Sequence, residues 1–367
     1  MVAAAVFEKG SFAVAEVELP PLGPTQLRVA PLANGICGSD LSAWAHTEDF
    51  LAANEAVGAV GSNFDPERPV VFGHEFTSRV LEVGSEVTDY AVGDVLFTLP
   101  WVVDPAGVVR TVGYANAYPG GLAAEAIVQA GGHVRLAPEV DPYLAATLEP
   151  VATGVNGVMR SGIGEGEGAI VAGAGPVGLG AVVELAARGA HPIVVSDLSA
   201  RRREIALAYG ATVAVDPREQ DPVAEWRRLA REGSRLYVVE ASAARGLLAS
   251  LIESAPAYTV FSVVGSNPSP DALRTMSAVQ KNASVFFLTG PAWGESRYEA
   301  LWRAYDHLRE GRYDPALMVT GYAGPHGVGT AFEALRPKEG DVEHVKILIR
   351  GDLAGDGLLT PAEAGLS

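Results

Sequence analysis

The sequence has one cysteine, few lysines and no long apolar run, and these shortages exclude several classes of protein. Cys37 is the only thiol among 367 residues, so no intramolecular disulfide can form, which fits a reducing cytoplasm. No segment approaches the roughly 18–20 consecutive apolar residues of a membrane span. The opening residues lack a basic region and reach Glu8 early, so we expect no signal peptide. These features predict a cytoplasmic protein without a membrane partner.

Positive charge is also scarce. The chain carries 27 Lys and Arg against 44 Asp and Glu, a net charge of −17, and only four of the basic residues are lysine. An acidic surface opposes the binding of nucleic acid, so we expect no nucleic-acid partner. The length suits two domains, and a hydrophobic content of 48% is ample for two cores.

A glycine turn stands between two apolar runs near the middle of the chain. Residues 168–197 read GAIVAGAGPVGLGAVVELAARGAHPIVVSD, which predicts a strand, a turn, a small-residue helix and a second strand. The turn has the order G-x-G-x-x-G at Gly173, Gly175 and Gly178, with Pro176 and Val177 opening the helix. The first glycine permits a tight turn, the second allows a pyrophosphate to approach, and the third lets helix and strand pack closely. The free N–H groups of the helix start bind phosphate, so this unit predicts dinucleotide binding.

Asp197 ends the second strand and decides between the two nicotinamide dinucleotides. A carboxylate there accepts hydrogen bonds from the ribose hydroxyls of NAD and repels the 2′-phosphate of NADP. Three arginines follow at 201–203 and are able to neutralise such a phosphate, or else form the solvated first turn of the next helix. We expect Arg202 to lie over the ribose and NAD to be the coenzyme, with NADP as the alternative.

The order of elements predicts two domains of different class. Residues 1–150 show short strands with turn signals, whereas strands and helices alternate from 151 to 290, which is typical of a doubly wound parallel sheet. KILIR at 346–350 predicts a strand that returns to the first domain. We therefore expect an NAD-binding domain at 151–290 and a catalytic domain formed by 1–150 with 291–367.

Two short motifs in the first domain offer metal ligands. Cys37 lies in GICGSD and His74 in GHE, and the glycines beside them let the backbone fold closely around an ion. Alone, Cys37 is a small apolar residue and His74 a core histidine, but a thiolate and an imidazole together suit zinc. A catalytic zinc needs three protein ligands and one open position, so the third ligand is an acid or another histidine.

These motifs together resemble the zinc-dependent medium-chain dehydrogenase/reductases, the alcohol dehydrogenase superfamily, and most of all their polyol and butanediol dehydrogenase branch. The resemblance runs over nearly the whole chain through GICGSD, GHE, VGDVL, LEPVATG, GAGPVG and KILIR. It implies a β-rich, GroES-like catalytic domain beside a Rossmann coenzyme domain. It also implies an enzyme in which zinc lowers the pKa of a substrate hydroxyl and the nicotinamide takes up a hydride.

The resemblance assigns roles to particular residues. Glu149 in LEP is implied as the third zinc ligand, and Glu75 as a nearby acid that is able to replace it. Ser39 resembles the hydroxyl that relays the proton, and Asp40 the acid that orients His74. Thr153 is implied beside the nicotinamide.

Several segments depart from the family pattern. Ser42 stands where a relay histidine is common, so His46 or water is needed in its place. Residues 98–121 read as a Pro/Gly-rich loop without the cysteines of a structural zinc site, which predicts one zinc per chain. The segment 43–68 is long, and we expect it to shape the substrate pocket. Residues 141–162 read as a helix in two pieces around Pro150.

The C-terminal stretch DLAGDGLLTPAE gives a partial match to a calcium loop. Asp352, Asp356 and Glu363 fall at ligand positions, but Ala354 offers no side-chain oxygen where the third position needs one. We interpret the stretch as a loose polar tail.

The sequence thus predicts a zinc- and NAD-dependent dehydrogenase of a secondary alcohol or polyol. Two alternatives remain open: an NADPH-dependent carbonyl reductase of the same family, and a dinucleotide-binding protein without catalysis. The apolar strands YTVFSVVG and ASVFFLTG predict pairing between copies, and hence a homodimer or homotetramer.

Overall fold

The computed structural model describes residues 1–267, 269–290, 294–295, 297–336 and 344–365. It divides the chain into two units, each built on its own sheet. We call Met1–Thr147, Val319–Pro337 and Lys346–Ser367 the terminal unit, and Leu148–Met318 with Lys338–Val345 the central unit. None of the helices in the described ranges combines the length and apolarity needed to cross a membrane.

The regular elements follow one another in a mixed α/β order. The strands are β1 Val2–Glu8, β2 Ser11–Val17, β3 Gln26–Gly35, β4 Glu75–Val83, β5 Val95–Thr98, β6 Trp101–Val103, β7 Val109–Thr111, β8 Ala126–Gln129, β9 Val134–Arg135, β10 Gly168–Ala172, β11 Ile193–Ser196, β12 Val213–Val215, β13 Leu236–Glu240, β14 Val260–Val263, β15 Ser284–Phe287, β16 Val319–Ala323 and β17 Lys346–Ile349. The α-helices are α1 Gly38–Ala45, α2 Thr47–Ala56, α3 Leu148–Ser161, α4 Pro176–Ala187, α5 Ala200–Ala208, α6 Pro222–Leu229, α7 Leu247–Ser254, α8 Thr275–Gln280, α9 Tyr298–Arg309, α10 Pro315–Met318 and α11 Val328–Leu335. Short 3₁₀ turns occupy Val60–Ser62, Leu144–Thr147 and Pro325–Gly327.

The central unit is a doubly wound parallel sheet, as the alternation of strands and helices predicts. Its strands lie in the order β12-β11-β10-β13-β14-β15, and every neighbouring pair is parallel. The order reverses direction between β10 and β13. Ligands of such sheets bind outside the carboxyl ends of the strands at this reversal, which is where the glycine turn after β10 lies.

The terminal unit is built on a mostly antiparallel sheet. Its strands lie in the order β16-β17-β3-β4-β5-β9, and β8 pairs with the other part of β3. β17 is antiparallel to β3, so the KILIR segment returns to the first sheet as predicted. Its main core contains a group of stacked and edge-on aromatic rings: Phe7, Phe12, Phe72 and Phe332.

One predicted domain boundary differs from the structure. The described part of 291–318 clusters with the central unit rather than with the catalytic domain, while residue 291 itself lies outside the described residues. The reason is that α9 packs on α3 and sends Arg303 and His307 to the buried Glu184 of α4. An amphipathic helix follows its apolar and ionic partners, and this one finds both in the central unit.

Two local expectations within the chain are corrected, and a third concerns the C-terminal stretch. Residues 98–121 contain the β6–β7 hairpin, whose turn is closed by Asp104 accepting from the amides of Ala106 and Val108, both at 2.9 Å. The helix at 141–162 is not broken at Pro150, because proline is tolerated in the first turn of a helix, where no intrahelical N–H is required. The break comes earlier, where the 3₁₀ turn meets α3.

The C-terminal stretch is docked rather than loose. Tyr322 and Leu359 exchange two backbone hydrogen bonds, of 2.9 and 2.8 Å, and Ala364 is buried. Asp352 pairs with Arg350, and Glu363 accepts from Thr360, so neither acid is directed at a shared ion. The stretch is therefore held against β16 by backbone hydrogen bonds.

Candidate metal and coenzyme sites

The pairing of β3 with β4 brings the two ligand motifs together. Gly35 lies opposite Glu75 in the register, which places the GICGSD loop beside the start of β4. A Cβ on Gly35 would lie 2.5 Å from a carboxylate oxygen of Glu75, so only glycine leaves room for that side chain. Gly73, with φ +107°, turns the chain into β4 at a conformation that favours glycine.

Cys37, His74 and Glu75 form the group with metal-ligand chemistry. One donor atom from each lies within 4.8 Å of the other two, and within the ranges that the structure describes this is the only such group. Thiolate sulfur, imidazole nitrogen and carboxylate oxygen are the three donor types that zinc takes in proteins. The sequence assigned Glu75 a reserve role, whereas the structure places it inside the group.

The state of Glu75 fits a bound cation. The side chain is fully buried, and its Oε2 pairs with Nζ of the buried Lys346 in β17. Its Oε1 is buried, and none of the residues that the structure describes donates a hydrogen bond to it. A buried acceptor of this kind is costly unless something satisfies it, and a metal ion among these donors would do so.

Asp40 lies beside His74, and its predicted role of orienting the imidazole stays a prediction. Its Oδ1 lies 3.1 Å from Nδ1 of His74, and its Oδ2 accepts from the amide of Cys37 at 3.0 Å. Burial raises the pKa of Asp40, but His74 and the donors around it outweigh burial and lower it below its ordinary value. A carboxylate beside Nδ1 leaves Nε2 as the nitrogen that is suited to a metal.

The charges around His74 favour a cation. Burial lowers the pKa of the imidazole, yet Asp40 and Cys37 together raise it well above its ordinary value. The pocket therefore stabilises positive charge at this point, which a divalent ion also supplies. Charge and donor types agree, so these residues fit zinc.

Ser39 lies close to the imidazole of His74, whereas His46, the alternative relay residue, lies at the surface. Ser39 Oγ is 3.4 Å from Nε2 of His74. Ser42 donates instead to the carbonyl of Gly38, and His46 is exposed at the junction of α1 and α2.

Tyr114 is a member of the site that the sequence analysis missed. Its hydroxyl donates to Oδ1 of Asp40 at 2.8 Å and lies 3.0 Å from Oγ of Ser39. Its ring centroid is 5.1 Å from that of His74. Nothing local marks this tyrosine, because it lies in a stretch that only the folded chain brings to the start of α1.

The long segment before GHE packs against the same tyrosine. Residues 47–56 form α2, whose buried Phe50 lies 5.2 Å from the ring of Tyr114, centroid to centroid, and 6.5 Å from that of Phe64. The role of 43–68 in a substrate pocket stays a prediction.

Glu149 and Thr153 lie on the first turns of α3, in the central unit. Thr153 Oγ1 donates to the backbone oxygen of Glu149 at 3.1 Å and lies 3.4 Å from its carboxylate. A Cβ on Gly290 would come within 2.6 Å of that carboxylate. The predicted roles of Glu149 as a zinc ligand and of Thr153 beside the nicotinamide stay predictions.

The glycine turn has the geometry that a dinucleotide needs. Gly173 has φ +95°, and a Cβ there would lie 2.8 Å from the side chain of Ser242. A Cβ on Gly178 would lie 1.8 Å from the carbonyl oxygen of Gly173. A Cβ on Gly175, by contrast, would meet no atom of the described residues within 4 Å, which leaves room among them where a pyrophosphate would approach.

Pro176 and Val177 begin α4 behind that turn, with proline at the helix start. Asp197 follows β11 and is held in place by two amides: Ala174 donates to Oδ2 at 2.7 Å and Ser199 to Oδ1 at 2.8 Å. The acid is thus fixed to the glycine turn itself. Arg202 points a guanidinium nitrogen at the carbonyl of His344, 3.4 Å away, and its predicted place over the ribose stays a prediction.

Comparison with known proteins agrees with this architecture. The family described as "Zinc-binding dehydrogenase" matches residues 176–306, and "Alcohol dehydrogenase GroES-like domain" matches residues 23–138. The putative D-xylulose reductase of Agrobacterium fabrum is 30% identical over 231 residues, covering 58% of this chain and 63% of that protein. The (R,R)-butanediol dehydrogenase of Neisseria gonorrhoeae is 26% identical over 298 residues, covering 78% and 83%.

A solved structure shows the same fold over nearly the full chain. The crystal structure of 2R,3R-butanediol dehydrogenase from Bacillus subtilis has a TM-score of 0.76 and 26% identity, covering 95% of this chain and 99% of that one. The match to the xylulose reductase spans less than two thirds of that protein's length.

Three observations define the class of protein. The two family domains occur in the expected order, the central unit is a doubly wound sheet, and the sheet-rich terminal unit holds the donor group. The chain belongs to the zinc-dependent medium-chain dehydrogenase/reductases. The predicted family and fold class are confirmed.

Proposed function

We propose that the protein is a zinc- and NAD-dependent dehydrogenase that oxidises a secondary hydroxyl of a polyol or vicinal diol to a ketone. The observation that carries this proposal is the donor group formed by the half-buried Cys37 with the buried His74 and Glu75. The butanediol dehydrogenases and the xylulose reductase among the relatives support the substrate class. A cysteine thiol as ligand suits the reducing cytoplasm, where we expect the protein to act.

Each polar residue has a distinct part in this proposal. Cys37 and His74 would hold the zinc, with Glu149 of the central unit as the predicted third ligand and Glu75, which already lies beside Cys37 and His74, as the acid able to replace it. The zinc supplies the Lewis acidity that lowers the pKa of a substrate hydroxyl. Ser39 would relay the proton that the hydroxyl loses, taking it on Oγ while passing its own proton to water or His46, and Asp40 would keep His74 in the tautomer that binds metal.

Asp197 supports NAD as the coenzyme. Its two oxygens are anchored by the amides of Ala174 and Ser199, so the carboxylate cannot swing away to admit a 2′-phosphate without losing both bonds. The glycine turn would hold the pyrophosphate at Gly175. Thr153 would lie against the nicotinamide, which takes up the hydride.

The metal assignment is tested by elemental analysis and turnover together. We expect one zinc per chain, because Cys37 is the only thiol available. Cys37→Ser should lose most of the zinc and nearly all turnover on a panel of polyols, diols and simple alcohols. NADH binding, followed by fluorescence, should stay intact, because the glycine turn belongs to the other unit.

The same measurements separate the candidate ligands and coenzymes. Glu149→Ala should lose zinc, whereas a variant that keeps it would move the third ligand to Glu75. Two zincs per chain, or full activity without metal, would contradict the proposal. A higher catalytic efficiency with NADP than with NAD would overturn the assignment of Asp197.

We also propose that two copies pair through β15, the end strand of the central sheet. Phe286 and Phe287 are exposed there, at 39% and 67%, and β15 is the last strand of the sheet among the described residues. An apolar edge of this kind invites association unless it is covered.

A further inference from the structure

We infer that Tyr114 is a positioning residue for the metal group, acting through Asp40 on His74 and holding the hydroxyl of Ser39. This inference rests on the proposed function, since it concerns the proposed zinc site. It assigns a role to a residue of the β7–β8 connection, which carries no metal ligand of its own.

The hydroxyl of Tyr114 contacts residues that touch the metal group. Its hydroxyl donates to Asp40 Oδ1 at 2.8 Å, and that same oxygen lies 3.1 Å from Nδ1 of His74. The phenol therefore shares one carboxylate oxygen with the imidazole. A hydrogen bond to an ionised acceptor is about twice as strong as a neutral one, so it restricts where that oxygen can sit.

The aromatic ring fixes the hydroxyl from the other side. Tyr114 is only 5% exposed, and its centroid lies 5.2 Å from that of Phe50 and 6.1 Å from that of Phe72. The ring is thus held by the core, while its single polar atom reaches the start of α1. A ring held in this way is suited to fix the position of the buried Asp40 carboxylate, and with it the orientation of the His74 imidazole.

The contact with Ser39 adds a second effect. Tyr114 Oη lies 3.0 Å from Ser39 Oγ, which is itself 3.4 Å from Nε2 of His74. Without the phenol, the serine side chain loses a partner that limits its rotation. Tyr114 thus bears on metal affinity through Asp40 and on proton acceptance through Ser39.

Tyr114→Phe tests the inference because it removes the hydroxyl and keeps the ring. Zinc affinity is measured by competition with a chromophoric chelator, and does not depend on turnover. We expect a zinc dissociation constant at least about tenfold higher, the size typical of outer contacts of a metal ligand. With zinc saturated, kcat should still be lowered while KM changes little.

Three further variants make the result specific. Tyr118 is another buried tyrosine of the β7–β8 connection, and it belongs to the core cluster that includes Val112 and Phe76. Tyr118→Phe should therefore leave zinc affinity unchanged. Asp40→Asn should weaken zinc binding, and adding Tyr114→Phe to it should cost little more. Ser39→Ala should lower kcat without weakening zinc.

The outcomes separate this inference from the proposed function. A wild-type protein that binds zinc, together with an unchanged constant in Tyr114→Phe, would overturn the inference and leave the proposed function standing. A full additional loss in the Asp40→Asn background would likewise overturn action through Asp40. A wild-type protein that binds no zinc would overturn the proposed metal site, and the inference with it.

Discussion

At the scale of residues, Asp40 links the local fold to the chemistry of the site. It lies in the first turn of α1 and accepts from the amide of Cys37, a contact that fixes the start of the helix. Its other oxygen faces His74 and Tyr114. The helix start and the orientation of a metal ligand are therefore set by one carboxylate, and a change there affects both.

The glycine turn allows packing and ligand binding to be separated by two matched substitutions. Gly178→Ala places a Cβ 1.8 Å from a carbonyl oxygen, so the turn must shift. We expect a loss of about 1–3 kcal/mol in unfolding free energy, the usual cost of overpacking, together with loss of NADH binding. Gly175→Ala meets no atom within 4 Å in the described part of the chain and should leave the melting temperature unchanged while weakening NADH binding.

Thermal unfolding and NADH fluorescence titration on both variants check this prediction. Equal losses of melting temperature in the two variants would contradict the distinction between a packing glycine and a ligand glycine. Unchanged NADH affinity in Gly175→Ala would show that the coenzyme does not approach the backbone there.

At the scale of elements, α4 and α9 are joined by a buried ion network. Glu184 of α4 is fully buried and meets Arg303 and His307 of α9 and Arg188, which caps the end of α4, each at 2.6 Å. Burial raises the pKa of Glu184, but its bonds to His307, Arg303 and Arg188 outweigh burial and lower it. This network is the reason why α9 belongs to the central unit.

Removing the charge of Glu184 should destabilise the protein. Glu184→Gln leaves Arg303 and Arg188 without their anion, and we expect a loss of about 2–4 kcal/mol, reduced from a fully buried pair because Arg303 is part-exposed. Since the folded pKa is depressed, the contribution is full above the ordinary pKa of glutamate, about 4.3, and fades as pH falls through the folded value.

Urea unfolding at pH 7 and at pH 3 measures this difference. The gap between wild type and Glu184→Gln should narrow at the lower pH. Glu299→Gln, an exposed acid on α9, serves as the control and should have little effect at either pH. A gap that widens on acidification would contradict the assigned sign.

How far the sequence predicts the structure depends on the distance between partners in the chain. The glycine turn, Asp197 and the alternation of strands and helices follow from signals within a few tens of residues. Tyr114 and Lys346 do not, because their partners at the metal group lie more than 70 and more than 250 positions away. No local pattern tells one buried tyrosine from another, so these contacts become visible only in the folded sheet.

At the scale of the whole molecule, self-association should depend on the end strand β15. Phe287→Glu places a charge on the exposed edge, and we expect a dimer or tetramer to dissociate toward monomers in light scattering. Leu207→Glu, at an exposed position on α5, should leave the mass unchanged. A wild-type monomer at micromolar concentration, or an unaffected Phe287→Glu oligomer, would contradict pairing through β15.

The position of β17 has a consequence for how the protein is made. β3 and β4 leave the ribosome long before β17, since the entire parallel sheet is translated in between. Until then the edge of β3 beside Gly35 lacks its neighbour, and Glu75 lacks the ammonium of Lys346. Contacts between segments so far apart slow folding. Glu75 of the metal group is therefore expected to lack its ammonium partner while most of the chain is being synthesised. It gains that partner only when β17, one of the last strands to be translated, joins the sheet.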